Sequence, residues 1–158
     1  MRYILLLIFT SICLLAEVAK VSAVVGDATI LRDAKSIIVK IGTLVEEKDI
    51  IQTKKNSKVQ LIFNDNTIVT LGKNSALNIN EYIYDTKNPK NSNTDFNFFK
   101  GAFKTITGKI GKINKEKFKL RTKTAAIGIR GTVIIGNQNV VACLVGGLAV
   151  QGAGKTVN

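Results

Sequence analysis

The sequence contains no histidine. That absence removes the side chain most used as a general acid or base, the base of a catalytic triad and the commonest metal ligand. Cysteine occurs only as Cys13 and Cys143, too few to frame a disulfide scaffold or, with carboxylates alone beside them, a zinc site. Proline occurs once, as Pro89. Beyond the N-terminus no run of about 18 apolar residues is present, so no later segment spans a bilayer as a helix. Acidic residues are outnumbered, 11 against 23 Lys and Arg.

What is present begins with residues 1–16, MRYILLLIFTSICLLA: Arg2, an apolar run from Tyr3 to Leu15, and the small Ala16. This is the layout of a secretory signal peptide, with cleavage expected after Ala16, because EVAKVSAVVG then survives as an intact first strand. A second candidate end is Ala23, and an uncleaved anchor helix is the competing reading. Ile12 before Cys13 does not fit a lipoprotein signal. Removal of the leader takes Cys13 with it and leaves Cys143 without an intramolecular partner. In VVACLVG, Cys143 lacks a visible activating base and is expected to be a small core residue. Residues 17–158 are long enough for one domain with its own core.

The chain carries a formal charge of +12, and nine positive side chains fall between Lys100 and Lys123 against the single acid Glu116. One region should therefore carry a positive field, with Lys104, Lys109, Lys112, Lys115 and Lys119 as candidate contacts for an anionic surface. The plainer expectation is a solvated strand face.

Alternation of period two recurs throughout. Phe118 and Leu120 face one way while Lys119, Arg121 and Lys123 face the other; Val59, Leu61 and Phe63, then Thr67, Val69 and Leu71, repeat the pattern on either side of NDN, residues 64–66. Asx residues accept positive φ, so NDN predicts a tight hairpin. Further strands are expected at 36–41, 49–53, 76–80, 132–136, 139–145 and 148–150. Many short strands separated by turn signals predict an all-β domain, a sandwich or roll of jelly-roll-like or partly solenoidal form, with at most one short helix, near NFFKGAFKTI. The aperiodic stretch DTKNPKNSNTDFN, residues 85–97, is expected to be a long mobile surface loop.

Few patterns carry chemistry. Glu46, Glu47 and Asp49 in VEEKD could serve glycoside hydrolysis or calcium binding, but the interposed Lys48 favours a charged turn. TGKIGKI lacks the spacing of a phosphate loop. Phe96, Phe98, Phe99 and Phe103 could stack bases, yet their spacing suits a core strand, which argues against nucleic acid. No cofactor is implied. In TAAIGIRGT, Arg130 stands alone among apolar neighbours, between Gly128 and Gly131. A buried guanidinium must have its donors satisfied, so Arg130 is either an internal brace or a trap for an acidic ligand.

These residues carry a resemblance. VVGDATILR, GTLVEEKDIIQT, VQLIFNDNTIVTLG, FFKGAFKTITGKI and FKLRTKTAAIGIRGT, from about Val18 onward, resemble the FecR domain, a bacterial periplasmic regulatory module. Thr122, Ala125, Arg130, Gly131 and Thr132 fall on its T…A…RGT signature and are expected to be structural. The trailing VVACLVGGLAVQGAGKTV looks like its last strands. Lys48 and Asn66 occupy positions where the family commonly has glycine; Asn66 can hold the left-handed conformation, whereas Lys48 is expected to signal a different turn. The anti-sigma segment and membrane helix that precede the domain in signal-transducing relatives are not seen, so sigma-factor control does not transfer. The resemblance implies a free periplasmic β domain that binds a periplasmic or outer-membrane protein, without catalysis. The alternative is a basic domain that binds lipopolysaccharide, phospholipid or acidic glycan; a carboxylate-only hydrolase is third.

Overall fold

In a computed structural model, residues 16–129, 133–152 and 155–157 are described. Strands dominate them. In chain order they are β1 (Glu17–Val25), β2 (Ala28–Arg32), β3 (Lys35–Ile38), β4 (Leu44–Glu46), β5 (Ile50–Thr53), β6 (Lys58–Phe63), β7 (Ile68–Leu71) and β8 (Ala76–Ile83). Then follow β9 (Asn93–Lys100), β10 (Phe103–Ile106), helix α1 (Lys109–Ile113), β11 (Phe118–Thr122), β12 (Ala125–Ile129), β13 (Val133–Gly136), β14 (Val141–Val145), β15 (Leu148–Gly152) and β16 (Lys155–Val157). The expected all-β class holds, and α1, five residues long, is the one α-helix among the described residues.

The strands form two sheets. One has seven strands in the order β14-β13-β10-β7-β6-β1-β4; the other has nine, in the order β16-β15-β12-β11-β9-β8-β5-β2-β3. Alternation puts Val59, Leu61, Phe63, Val69, Leu71 and Phe103 on the inner face of the first sheet, and Leu77, Ile79, Phe96, Phe98, Phe118 and Leu120 on that of the second, all buried. Rings meet across the gap: Phe98 stacks on Phe103 with centroids 3.9 Å apart, and Phe63 lies 4.7 Å from Phe96. Each such ring contributes about 1.5–3 kcal/mol by leaving water. Phe96, Phe98 and Phe103 are therefore core, and only Phe99 of that group is exposed.

The pairings among the described strands are antiparallel, many of them between strands distant in the chain, with one exception. β9 runs parallel to β11, with Phe118 opposite Thr94 and Thr122 opposite Phe98. The chain leaves β9 through Gly101, crosses to the other sheet as β10, passes over α1 and returns beside β9. Gly101 has φ +75, and a Cβ there would sit 2.2 Å from Ser75 Oγ, so the crossing needs glycine.

Several boundaries differ from expectation. The helix lies at Lys109–Ile113, not within residues 97–106, because Phe98 and Phe103 alternate into the core as strand residues. The polar loop ends at Ser92, and residues 93–97 are already β9. Nor is the loop loosely held: Asp85 accepts the backbone N–H groups of Lys87 and Asn88, each at 2.8 Å, and Asn114 Nδ2 donates to Pro89 O at 2.6 Å. The first of the later strands ends at Ile38 instead of residue 41. Cys143 is not a core residue; it lies half-exposed on the edge strand β14.

Candidate functional site

Three constellations of polar side chains organise the molecule; residues of each stand out in the sequence, but the contacts that join them do not. The first is at the VEEKD turn. Arg32, at the end of β2, donates from Nε to Asp49 Oδ1 at 2.8 Å and from Nη2 to Asp49 Oδ2 at 2.7 Å, a bidentate pair. Its Nη1 binds Glu46, and its Nη2 also donates to Leu44 O at 3.1 Å. Asp49 is fully buried and accepts the Glu46 N–H at 2.8 Å as well. The hydrogen bond from Asp49 is the main reason the Arg32 guanidinium holds its proton more tightly than usual. Glu47 accepts the Tyr82 N–H at 3.3 Å. All three carboxylates are thus engaged in holding β2, β4 and β8 together. The turn itself corrects the expectation for Lys48, whose φ of +69 reproduces the left-handed conformation that glycine would adopt there.

The second constellation fills the NDN hairpin. Asn66 has φ +67, as expected of an Asx in a tight turn, but Asp65 is not a solvated turn residue: it is fully buried. Its Oδ1 accepts from Thr67 N at 3.0 Å and from Tyr82 Oη at 3.1 Å; its Oδ2 accepts from Thr67 Oγ1 at 2.8 Å and from Ile110 N at 3.1 Å. Four donors satisfy an anion that burial would otherwise make prohibitive. Tyr82 Oη in turn accepts the Asp65 N–H at 2.8 Å. Burial first, and the nearby Asp65 carboxylate second, push the Tyr82 phenol well above its ordinary value, so it remains a donor. Gly108 lets α1 come this close, since a Cβ there would lie 2.2 Å from Asp65 O.

The third lies around the family-like signature. Thr122 Oγ1, at the end of β11, accepts the Ala125 N–H at 3.1 Å and closes the turn into β12. Gln138, in the β13–β14 turn of the opposite sheet, accepts the Lys123 N–H at 3.0 Å and donates to Phe98 O at 2.9 Å, clasping one sheet to the other. Thr122 and Ala125 are therefore brought together; Arg130, Gly131 and Thr132 lie outside the described residues.

The five candidate lysines do not form one patch. Lys104 alternates with the buried Phe103 and Thr105 and so projects from the outer face of the seven-stranded sheet, whereas Lys119 alternates with Phe118 and Leu120 and projects from the outer face of the other. Lys109 and Lys112 are exposed on α1. Only Lys115 and Lys119 reach a shallow trough of about 740 Å³ over β11, β12 and β15, whose floor includes the small Ala126, Gly128 and Ala149. Arg121, not among the five candidates, lines the same trough and pairs with Asp95 at 3.0 Å while remaining half-exposed. The alternation that exposes Lys119 also exposes Arg121, so this signal was available.

These features define a class: an all-β sandwich whose acidic clusters are engaged in holding turns and whose outer faces carry the positive charge. The chain belongs to the FecR family, for the family model described as FecR protein matches residues 49–148. Domains of this family are regulatory and lie in the periplasm. The match takes in the NDN hairpin, both halves of the signature and β14, and leaves Arg32 outside. Neither a curated protein nor a solved structure matches the chain significantly. Among the described residues, no helix is long and apolar enough to cross a membrane.

Proposed function

We propose that the chain is an exported, non-enzymatic domain that binds a protein partner in envelope sensing or signalling. The observation that carries this reading is the FecR match over residues 49–148 on a fold whose Glu46, Glu47, Asp49 and Asp65 carboxylates are each engaged in structural hydrogen bonds. Export through residues 1–16 fits the start of β1 at Glu17: Val18, Ala19 and Val21 are buried, and cleavage after Ala23 would remove them. Thr122, Ala125, Arg130, Gly131 and Thr132 serve the fold in this reading, with Arg130 as a brace. The test is cross-linking in intact cells followed by purification and identification of the bound protein. A specific envelope protein, recovered by wild type and lost on substitution of a solvent-facing patch, is the expected result; no recovered partner counts against the proposal.

A second reading is favoured by the trough. Lys115, Lys119 and Arg121 line it with Glu116 beside a floor of small side chains; Arg121 is paired with Asp95, so the two lysines carry the excess positive charge that suits an anionic lipid headgroup, lipopolysaccharide phosphate or acidic glycan. Charge reversal at Lys115 and Lys119 then abolishes co-sedimentation with anionic liposomes, while reversal at Lys104, on the opposite face, leaves it intact. Equal losses from both would reduce the effect to net charge.

A further inference from the structure

One end of the sandwich is apolar and uncovered. Among the described side chains from Ile135 to Gly152 none is buried, although β14 and the residue before it read VVACLV. Val140 is 64%, Leu144 58% and Val145 56% exposed, and Ile135 on the adjoining strand is 37% exposed. By contrast, β6 (KVQLIF), inside the same sheet, buries Val59, Leu61 and Phe63. β14 is also a sheet edge, so its outward N–H and C=O groups have no strand partner among the described residues.

Sheet edges are normally guarded by charge, brevity or proline. Among the described strands, the other three edges follow that rule. β3 begins at Lys35, β4 has three residues and ends in Glu46, and β16 has three residues. β14 has five residues, no charge and no proline, and its one irregularity is a bulge at Leu144, where Val133 pairs with Val145 and Ile134 with Cys143. It lies within the longest uncharged stretch after the leader, Gly131 to Gly154, in a chain whose formal charge is +12.

We infer that β14 is a self-association edge, pairing antiparallel with β14 of a second copy about a two-fold axis and joining the two seven-stranded sheets. Charge selects the occupant. Copies of a strongly basic chain repel wherever lysines meet, and this end is where two can approach without opposing like charges. A two-fold antiparallel pairing presents the strand to itself, so the contacts of one copy are reciprocated by the other. Leu144 and Val145 then leave water together with the backbone groups of the edge. The ladder is short, below the roughly 1,200–2,000 Å² of standard interfaces, so the dimer is concentration-dependent, with a Kd in the order of micromolar to hundreds of micromolar.

The test is sedimentation velocity on the chain expressed from its first codon and purified as the cell processes it. The expected result is a shift from monomer toward twice the monomer mass as concentration rises. Leu144→Lys, at an exposed position, places two ammonium groups near the axis and weakens association at least about 10-fold, while Ile38→Lys on β3 leaves it unchanged. Circular dichroism verifies that each variant keeps its strand content. A short bis-maleimide traps dimer through Cys143 in wild type and not in Leu144→Lys. Wild type that remains monomeric at about 500 µM, above the range expected for so short a ladder, overturns the inference. So does a dimer that folded Leu144→Lys leaves intact, or a monomer whose β14 amides gain exchange protection only with a different envelope protein.

Discussion

At the scale of single residues, this molecule is held by charges it has buried deliberately paired. Arg32→Ala leaves Asp49 fully buried with its bidentate partner gone and Glu46 unpaired beside it. Breaking such a pair costs about 3–5 kcal/mol in a dry interior, and the partial exposure of Arg32 reduces that to about 2–4. Thermal unfolding should show a drop in Tm of several degrees or more, and Arg32→Lys should recover only part of it, since an ammonium cannot reproduce the fork. Tyr82→Phe is a milder test of the second constellation. It removes one of four donors to Asp65 and strands the Asp65 N–H, for an expected loss of about 1–3 kcal/mol in urea unfolding. Neither Arg32 nor Asp65 was legible as important. In the sequence, Arg32 is a charge at the end of ATILR and Asp65 an Asx in a turn. What makes each structural is a partner supplied from a distance: Asp49 is 17 positions from Arg32, and Ile110 is 45 positions from Asp65. Local pattern carries no record of such closures. Thr122 and Ala125 stand out in the sequence only through the resemblance to the FecR signature, and the hydrogen bond between them comes from the structure.

At the scale of elements, period-two alternation made the strands readable, and turn chemistry made the NDN hairpin readable. The parallel neighbourhood of β9 and β11 was not, because a crossover through the other sheet leaves no periodic signal. Turns also show where local preference loses to context. Lys48 holds a φ of +69, which costs a side-chain-bearing residue roughly 1–2 kcal/mol relative to an ordinary conformation. Lys48→Gly removes that strain and is offset by the greater chain entropy of glycine in the unfolded state, so Tm should rise slightly; a clear fall would mean that the lysine side chain stabilises the turn. The loop at 85–92 offers a pH test. Hydrogen bonds from the backbone of Asn88 and then Lys87 hold the Asp85 carboxyl below its ordinary value. A carboxyl whose folded pKa is depressed stabilises above its unfolded pKa, and that contribution is lost as pH falls through the folded value. Protection factors of the Lys87 and Asn88 amides, taken relative to the intrinsic exchange rate at each pH, should therefore fall on acidification into and below the ordinary carboxylate range, and Asp85→Asn should flatten the dependence.

At the scale of the whole molecule, the sequence disclosed the sign of the charge but not its partition between faces. Lys104 and Lys119 looked like neighbours in one basic run, yet alternation on strands of different sheets sends them to opposite sides. The positive charge therefore surrounds the sandwich, and self-repulsion opposes compaction from both faces. Salt screens charges over about 10 Å at 0.1 M, which relieves that repulsion while barely touching pairs as buried as Asp49 with Arg32. It also weakens exposed pairs such as Arg121 with Asp95, but one such pair contributes about 0–1 kcal/mol. Unfavourable terms outnumber favourable ones, because 23 basic side chains face 11 acids and the pairs closest to ideal geometry are sheltered. Raising sodium chloride from about 20 to about 300 mM should thus increase Tm, and differential scanning calorimetry on dilute protein reads this directly. A decrease would mean that exposed ion pairs outweigh the repulsion, and the faces would then have to be mapped as paired surfaces instead of open basic ones.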